Sequence, residues 1–308
     1  MKQLKQLHER YLLTLKHADT EETIDLWFYR PVGFCVALLG ERLHWTPNAI
    51  TIVGIFLGIG SGLLLYPHDL WLNLLGFILL VMADVCDSAD GQLARMTKSY
   101  SRIGRILDGI SSDVWFASIY LCIALRYTEV FGTNIWLLAV LAAGSHALQA
   151  SMADHHRQFH LFFVNGSGGS ELDTSGAMAA EYASISFTKE PLRKVFIFFY
   201  RYYTLLQELF NPQMTALRAV LKEKESLMLD KEFCQEVRRQ TFPLLKWTNV
   251  LTYNWRAIAL FASILIGRPW VYLICELTVF NVILIYMLTK HEIICKKIKN
   301  TLYERYNN

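Results

Sequence analysis

The stretch Asp84-Val-Cys-Asp87-Ser-Ala-Asp90-Gly91-Gln-Leu-Ala94-Arg95, followed by Gly104-Arg-Ile-Leu-Asp108, decides how the chain is read. It joins two apolar runs, Leu70–Ala83 before it and Val114–Leu125 after it. Ionisable residues inside such runs are costly in a bilayer and by default mark a functional site. Asp87 and Asp90 are three residues apart, about 60° around a helix, so their carboxylates share one face. Asp108 belongs to the next helix, which must return antiparallel after a short loop. Three carboxylates from two adjacent helices can therefore converge at one depth.

Working outward, apolar windows recur along the 308 residues, of which 53% are hydrophobic. Mean hydropathy is positive, +0.26. A helix crossing a bilayer core of about 30 Å needs roughly 20 mostly apolar residues. Ile50–Tyr66, Leu70–Ala83, Val114–Leu125, Ile135–Met152, Val250–Gly267 and Trp270–Leu288 approach or meet that length, the third starting near Ile103. The expected fold is all-α: an integral membrane bundle of six transmembrane helices, with a juxtamembrane amphipathic helix and a cytoplasmic helical insertion. Four segments follow: an N-terminal helical stretch over 1–46, spans one to four over 47–152, an insertion over 153–248, and the last two spans with a basic tail over 249–308.

Lys and Arg favour cytoplasmic loops. They gather before the first span, between the second and third, in the insertion and after the sixth, whereas only Arg126 and Arg268 lie near the opposite loops. Both termini are thus expected in the cytoplasm, in a bacterial inner membrane rather than an organelle membrane. The charged N-terminus has no signal-peptide pattern. A net charge of +3 is explained by topology and gives no reason to expect nucleic acid. Six cysteines lack CxxC or metal-finger spacing and read as free thiols.

Thr46 is a plausible N-cap for the first span, with Pro47 in its first turn. Gly54, Gly58 and Gly62 repeat every fourth residue, a spacing that lets helix backbones approach closely. In the insertion, Asn165–Ser170 is rich in Gly and Ser and reads as a mobile loop. Arg193–Phe210 is aromatic and basic, as in a helix lying in the membrane interface. Leu217–Arg239 reads as a charged helix.

Three clustered acids repel one another unless a cation joins them. Mg²⁺ or Mn²⁺ suits an all-oxygen site that also holds phosphates. Arg95 offers a fixed fork for a phosphate oxygen or a base edge. Gly91 removes a side chain where a ligand needs space. Alternatively, Arg95, Arg102 and Arg105 neutralise the acids at a salt-bridged helix end.

These residues resemble the signature of the CDP-alcohol phosphatidyltransferase family, D-x2-D-G-x2-A-R-x8-G-x3-D-x3-D. Asp87, Asp90, Gly91, Ala94, Arg95, Gly104 and Asp108 match it in type and spacing. The Thr46-Pro47-Asn48 entry and the six spans resemble the family too. The departure is at the last position, where Ser112 stands four residues after Asp108 and the aspartate comes one later, at Asp113. A one-residue π-bulge would swing Asp113 into the site; otherwise Ser112 fills the place.

The resemblance implies attack of an acceptor hydroxyl on the β-phosphorus of a CDP-linked donor, with release of CMP. Two Mg²⁺ or Mn²⁺ ions would be held by Asp87, Asp90, Asp108 and Asp113, with Asp113 (or Ser112) and Asp108 in the catalytic role. Asn48, Gly91, Ala94, Arg95 and Gly104 would hold the nucleotide, and Arg256 a phosphorylated acceptor. The expected partners are a CDP-linked lipid donor, a polar alcohol acceptor and membrane lipids, with a homodimer allowed. Six spans favour CDP-diacylglycerol as donor to inositol, inositol phosphate or a similar alcohol. The rivals are transfer of phosphoethanolamine or phosphocholine from the soluble CDP-alcohol to diacylglycerol or ceramide, and a non-catalytic scaffold or transporter. Among other candidates, His156 and His160 lie at i,i+4, a spacing that could bind a metal, but without the glutamate of HExxH the stretch Asp154–His160 reads as an interfacial loop. His146 reads as a packed histidine, and Glu276 and Asn281 as lining a polar cavity or pairing between helices.

Overall fold

The computed structural model describes residues 2–165, 174–223 and 231–307. Gly166–Ser170 of the expected mobile loop and residues 224–230 of the expected charged helix lie outside them. The described residues are helical, in two compact units: Met1–Ala147 with Tyr253–Val279, and Leu148–Thr252 with Phe280–Asn308.

The first unit opens with α1 (Lys2–Leu12), a π-helical turn (Asp25–Tyr29) and α2 (Arg30–Arg42). Next come α3 (Pro47–Leu65), α4 (Leu70–Thr97), α5 (Arg102–Phe131) and the start of α6 (Asn134–Asn165). Local chemistry sets these boundaries. The hydroxyl of Thr46 accepts from the Ala49 N–H at 3.2 Å, Asp69 from Leu72 at 2.8 Å, and Ser101 from Gly104 at 2.8 Å. Lys98, at φ 54°, closes α4, and Gly132, at φ 60°, closes α5.

The glycine ladder of α3 is where its neighbours come closest. A Cβ on Gly58 would lie 1.9 Å from the Trp115 ring, and one on Gly62 2.2 Å from the Ser118 hydroxyl. α5 therefore packs directly on the α3 backbone, and Trp115 joins a core with Leu65, Leu80, Phe116, Ile119 and Tyr272.

Among the described residues, five helices are long and apolar enough to cross a membrane: Pro47–Leu65, Leu70–Thr97, Leu107–Phe131, Asn134–Asn165 and Trp270–Glu304. The sixth expected span, Val250–Gly267, contains a shorter helix than its apolar run, α11 (Tyr253–Leu265). Turns at Leu251 and Thr252, bonded back to Thr248 and Asn249, precede it, and Gly267 at φ 69° ends it. Thirteen residues rise about 20 Å, short of a bilayer core. The last apolar run continues through α12 (Trp270–Leu277) into α13 (Val279–Asn307).

The second unit takes the rest of α6, then α7 (Ser175–Ser184), α8 (Pro191–Phe210), α9 (Pro212–Glu223), α10 (Lys231–Val250) and most of α13. Phe159, Phe163, Met214, Leu217, Phe233, Val237 and Ile298 form its main core. Asp154–His160 is not the expected interfacial loop but part of α6, with its histidines buried. His156 pairs with Asn211 at 2.8 Å and stacks on His291, and His160 pairs with Thr241 at 2.7 Å. His156 and His160 thus each have one ring nitrogen bonded inside a helical core. All six cysteines are free.

Candidate active site

α4 carries Asp87, Asp90, Gly91, Ala94 and Arg95 at helical spacings of three and four, one stripe along its last turns. α5 brings Asp108 against that stripe. One carboxylate oxygen from each of Asp87, Asp90 and Asp108 falls within 4.8 Å of the others. Asp90 is buried, Asp87 half-buried and Asp108 exposed, so the cluster opens on one side. Three hard oxygen donors at this separation fit a divalent cation of the Mg²⁺ or Mn²⁺ type.

Two hydroxyls that the motif does not contain complete the setting. Thr51 of α3 donates to Asp90, while also bonding the Pro47 carbonyl at 3.1 Å. Ser111 donates to Asp87 at 3.2 Å and to the Asp108 carbonyl at 2.9 Å. Ser111 lies three residues after Asp108, a spacing that could have flagged it. Thr51 had no comparable signal, because only the packing of α3 on α4 brings it near.

The N-terminal stretch is strapped to the same helix. The Thr14 carbonyl accepts from Arg95 Nε at 2.7 Å, and the Thr14 hydroxyl accepts from Gln92 at 3.1 Å. Arg30 bonds Ser88 at 3.2 Å and pairs with Glu21 at 3.0 Å. A Cβ on Gly91 would lie 3.4 Å from both terminal nitrogens of Arg95, so the guanidinium folds back over the glycine. The space left at Gly91 is taken first by Arg95.

Asn48 and Gly104 also meet. A Cβ on Gly104 would lie 2.5 Å from Asn48 Oδ1, which accepts from Ser101 at 3.1 Å. Asn48 lines an open groove of about 630 Å³ with Trp45, Thr97, Tyr100 and Ser101.

Two sequence expectations are corrected. α5 is α-helical throughout, and the π-helical turn in this unit lies at Asp25–Tyr29, so no bulge redirects Asp113. Asp113 is exposed, about 140° around a regular helix from Asp108, and stands outside the carboxylate group; Ser112 is half-buried. Arg256 is not open to an acceptor. It is 1% exposed, with Nη1 at 2.8 Å from both Glu276 oxygens and 2.7 Å from His146. Tyr120 and Tyr272 donate to the same carboxylate at 3.1 and 2.5 Å. Glu276 thus pairs between helices, as Asn281 does with Gln149 at 2.8 Å.

Comparison with known proteins agrees with this geometry. The sequence is 34% identical over 98 residues to the CDP-diacylglycerol–glycerol-3-phosphate 3-phosphatidyltransferase of Cereibacter sphaeroides, covering 31% of this chain and 42% of that protein. It is 31% identical over 206 residues to the CDP-diacylglycerol–serine O-phosphatidyltransferase of Encephalitozoon cuniculi, covering 58% and 51%. It is 31% identical over 144 residues to the archaetidylinositol phosphate synthase of Pyrococcus horikoshii, covering 43% and 73%. The chain thus spans about half the length of the first two. The CDP-alcohol phosphatidyltransferase family model matches residues 44–206, which hold the carboxylates, Arg95 and Asn48, and the chain belongs to that family.

Proposed function

We propose that the protein is a membrane CDP-alcohol phosphotransferase of phospholipid synthesis, moving a phosphatidyl group from CDP-diacylglycerol to a polar alcohol with release of CMP. The observation that carries this reading is the convergence of Asp87, Asp90 and Asp108 from two helices. The names of the relatives, two of them CDP-diacylglycerol-dependent and one an archaetidylinositol phosphate synthase, support the lipid donor and an inositol-type or similar acceptor.

Asp87, Asp90 and Asp108 would hold Mg²⁺ or Mn²⁺, in a pair of ions, which when bound neutralises pyrophosphate charge and favours departure of CMP. The acceptor oxygen forms a bond to the β-phosphorus, and the bond to the bridging oxygen breaks, leaving its electron pair on CMP. Asp108, the exposed member of the cluster, takes the hydroxyl proton. Thr51 and Ser111 hold Asp90 and Asp87 in place. Arg95, oriented by the Thr14 carbonyl, presents its remaining N–H groups to phosphate. The groove beside Asn48 suits the nucleotide in size, and Trp45 and Tyr100 offer faces for the base.

The Lys and Arg distribution supports both termini in the cytoplasm. That topology requires the Val250–Gly267 region to cross along with the five long spans. Ser112, where the family signature has an aspartate, favours a second reading, a non-catalytic member that kept the fold. Exchange of radiolabelled CMP into CDP-diacylglycerol by the purified protein, with candidate phosphatidyl-alcohol products present so that the displacement can run in reverse, tests both. Metal-dependent exchange supports the enzyme, and its absence in folded, metal-loaded protein supports the alternative. Exchange with CDP-ethanolamine instead would reverse the donor assignment.

A further inference from the structure

α8 is amphipathic in an unusual sense, because its apolar face is the one left uncovered. Val195, Phe198, Phe199, Tyr202, Leu206 and Leu209 are all exposed, Phe199 at 65% and Leu209 at 69%. At 100° per residue they occupy an arc of roughly 100°. Ile197, Thr204 and Gln207, on the opposite arc, are at most 6% exposed and face the interior of the second unit. The helix therefore buries a mixed face and presents a row of aromatic and aliphatic side chains. An exposed row of this length is more than the scattered apolar residues of an ordinary surface.

The lipid-facing side of α6 has the same signature, with Leu137 at 62% and Val140 at 65%. α8 differs in having its stripe bordered by Lys194 and Arg201, so it is suited to lie on a bilayer rather than cross it. The chain itself holds this unit at the membrane. α6 has 32 residues, a rise of about 48 Å, so its C-terminal part extends beyond a core of about 30 Å. Aromatic side chains such as Phe199 and Tyr202 are the types enriched at that level.

We propose that α8 is a membrane-surface element whose Val195–Leu209 stripe inserts into the headgroup and upper acyl region of the bilayer carrying the spans. The occupant of the stripe is phospholipid. A second copy of the chain is the competing occupant, and the test separates the two.

The test places the photo-crosslinker p-benzoylphenylalanine singly at Phe199, Leu206 or Leu209 in the full chain. The protein is reconstituted into vesicles of phosphatidylcholine and phosphatidylglycerol. Val140 serves as the lipid-facing reference, and Glu236, a partly exposed residue of α10, as the water-facing one. Illumination is expected to give phospholipid adducts at all three stripe positions, at yields comparable with Val140, and none at Glu236. A crosslinked dimer in place of lipid adducts would assign the stripe to a second copy and overturn the proposal. Yields at the level of Glu236, with Val140 labelled normally, would overturn it too, by leaving the stripe in water.

Discussion

Asp87, Asp90 and Asp108 share a unit with Arg256, Glu276 and His146, yet the two groups are built on opposite plans. In the second group the guanidinium meets both carboxylate oxygens at 2.8 Å, and two tyrosines and a histidine satisfy what remains. It is closed, fully buried and complete in charge. In the first group three acids approach within 4.8 Å, receive hydroxyl donors from Thr51 and Ser111, and stay open through Asp108. Charge compensation separates the structural group from the chemical one. A buried charge that the fold itself neutralises holds helices together, whereas one left uncompensated on an open side has room for a cation from outside.

The largest effect expected is on turnover. Asp87→Asn, Asp90→Asn and Asp108→Asn should each lower CMP release by about 10²- to 10³-fold or more. Thermal stability should hold or rise, because each change relieves repulsion among like charges. Mn²⁺ binding followed by electron paramagnetic resonance should weaken in parallel. An Asp90→Asn protein with normal turnover would break the comparison from the catalytic side.

Glu276→Gln should act in the opposite way. It leaves Arg256 buried without its counter-ion, at a cost of about 3–5 kcal/mol, read as a lower Tm in detergent. The double variant Arg256→Met/Glu276→Leu should recover most of that loss. Turnover per folded molecule should change little in either variant.

Arg95→Lys comes next, because an ammonium cannot keep the Thr14 contact and also offer a fork. Donor affinity should fall about tenfold, seen as a raised KM, with the fold intact. Ser111→Ala should remove a hydrogen bond of about 1 kcal/mol and slow turnover several-fold. Asp113→Ala should be the mildest, close to wild type. Damage equal to that of Asp108→Ala would show that the working helix is not the regular one described above.

Much of this was legible in the sequence because each signal was local. The spacing of Asp87, Asp90 and Asp108 on two consecutive helices announced their convergence. The Gly54-Gly58-Gly62 ladder announced close packing, and Thr46 announced a helix start. What stayed hidden depends on residues far apart in the chain. No period in the sequence joins Thr51 to Asp90, Thr14 to Arg95, or Arg256 to Glu276. The start of the sixth helix was set too early because hydropathy counts apolar residues and does not see the turn at Leu251–Thr252. The bulge was overread because α5 stays regular through Asp113, and spacing alone does not show whether a helix carries an extra residue.

The strap across α4 also has a consequence for the order in which the protein is made. The carbonyl that orients Arg95 lies 81 residues before it. At 5–20 residues per second, Thr14 leaves the ribosome roughly 4 to 16 s before Arg95 is synthesised. For that interval the N-terminal stretch can hold only early partners such as Glu41, which meets Arg10 at 2.7 Å, while α3 and then α4 are being made. Arg95 can take its orientation only once α4 is in place and the waiting segment has docked. An N-terminal fusion large enough to delay that docking should therefore yield protein with its spans inserted but its arginine fork unset.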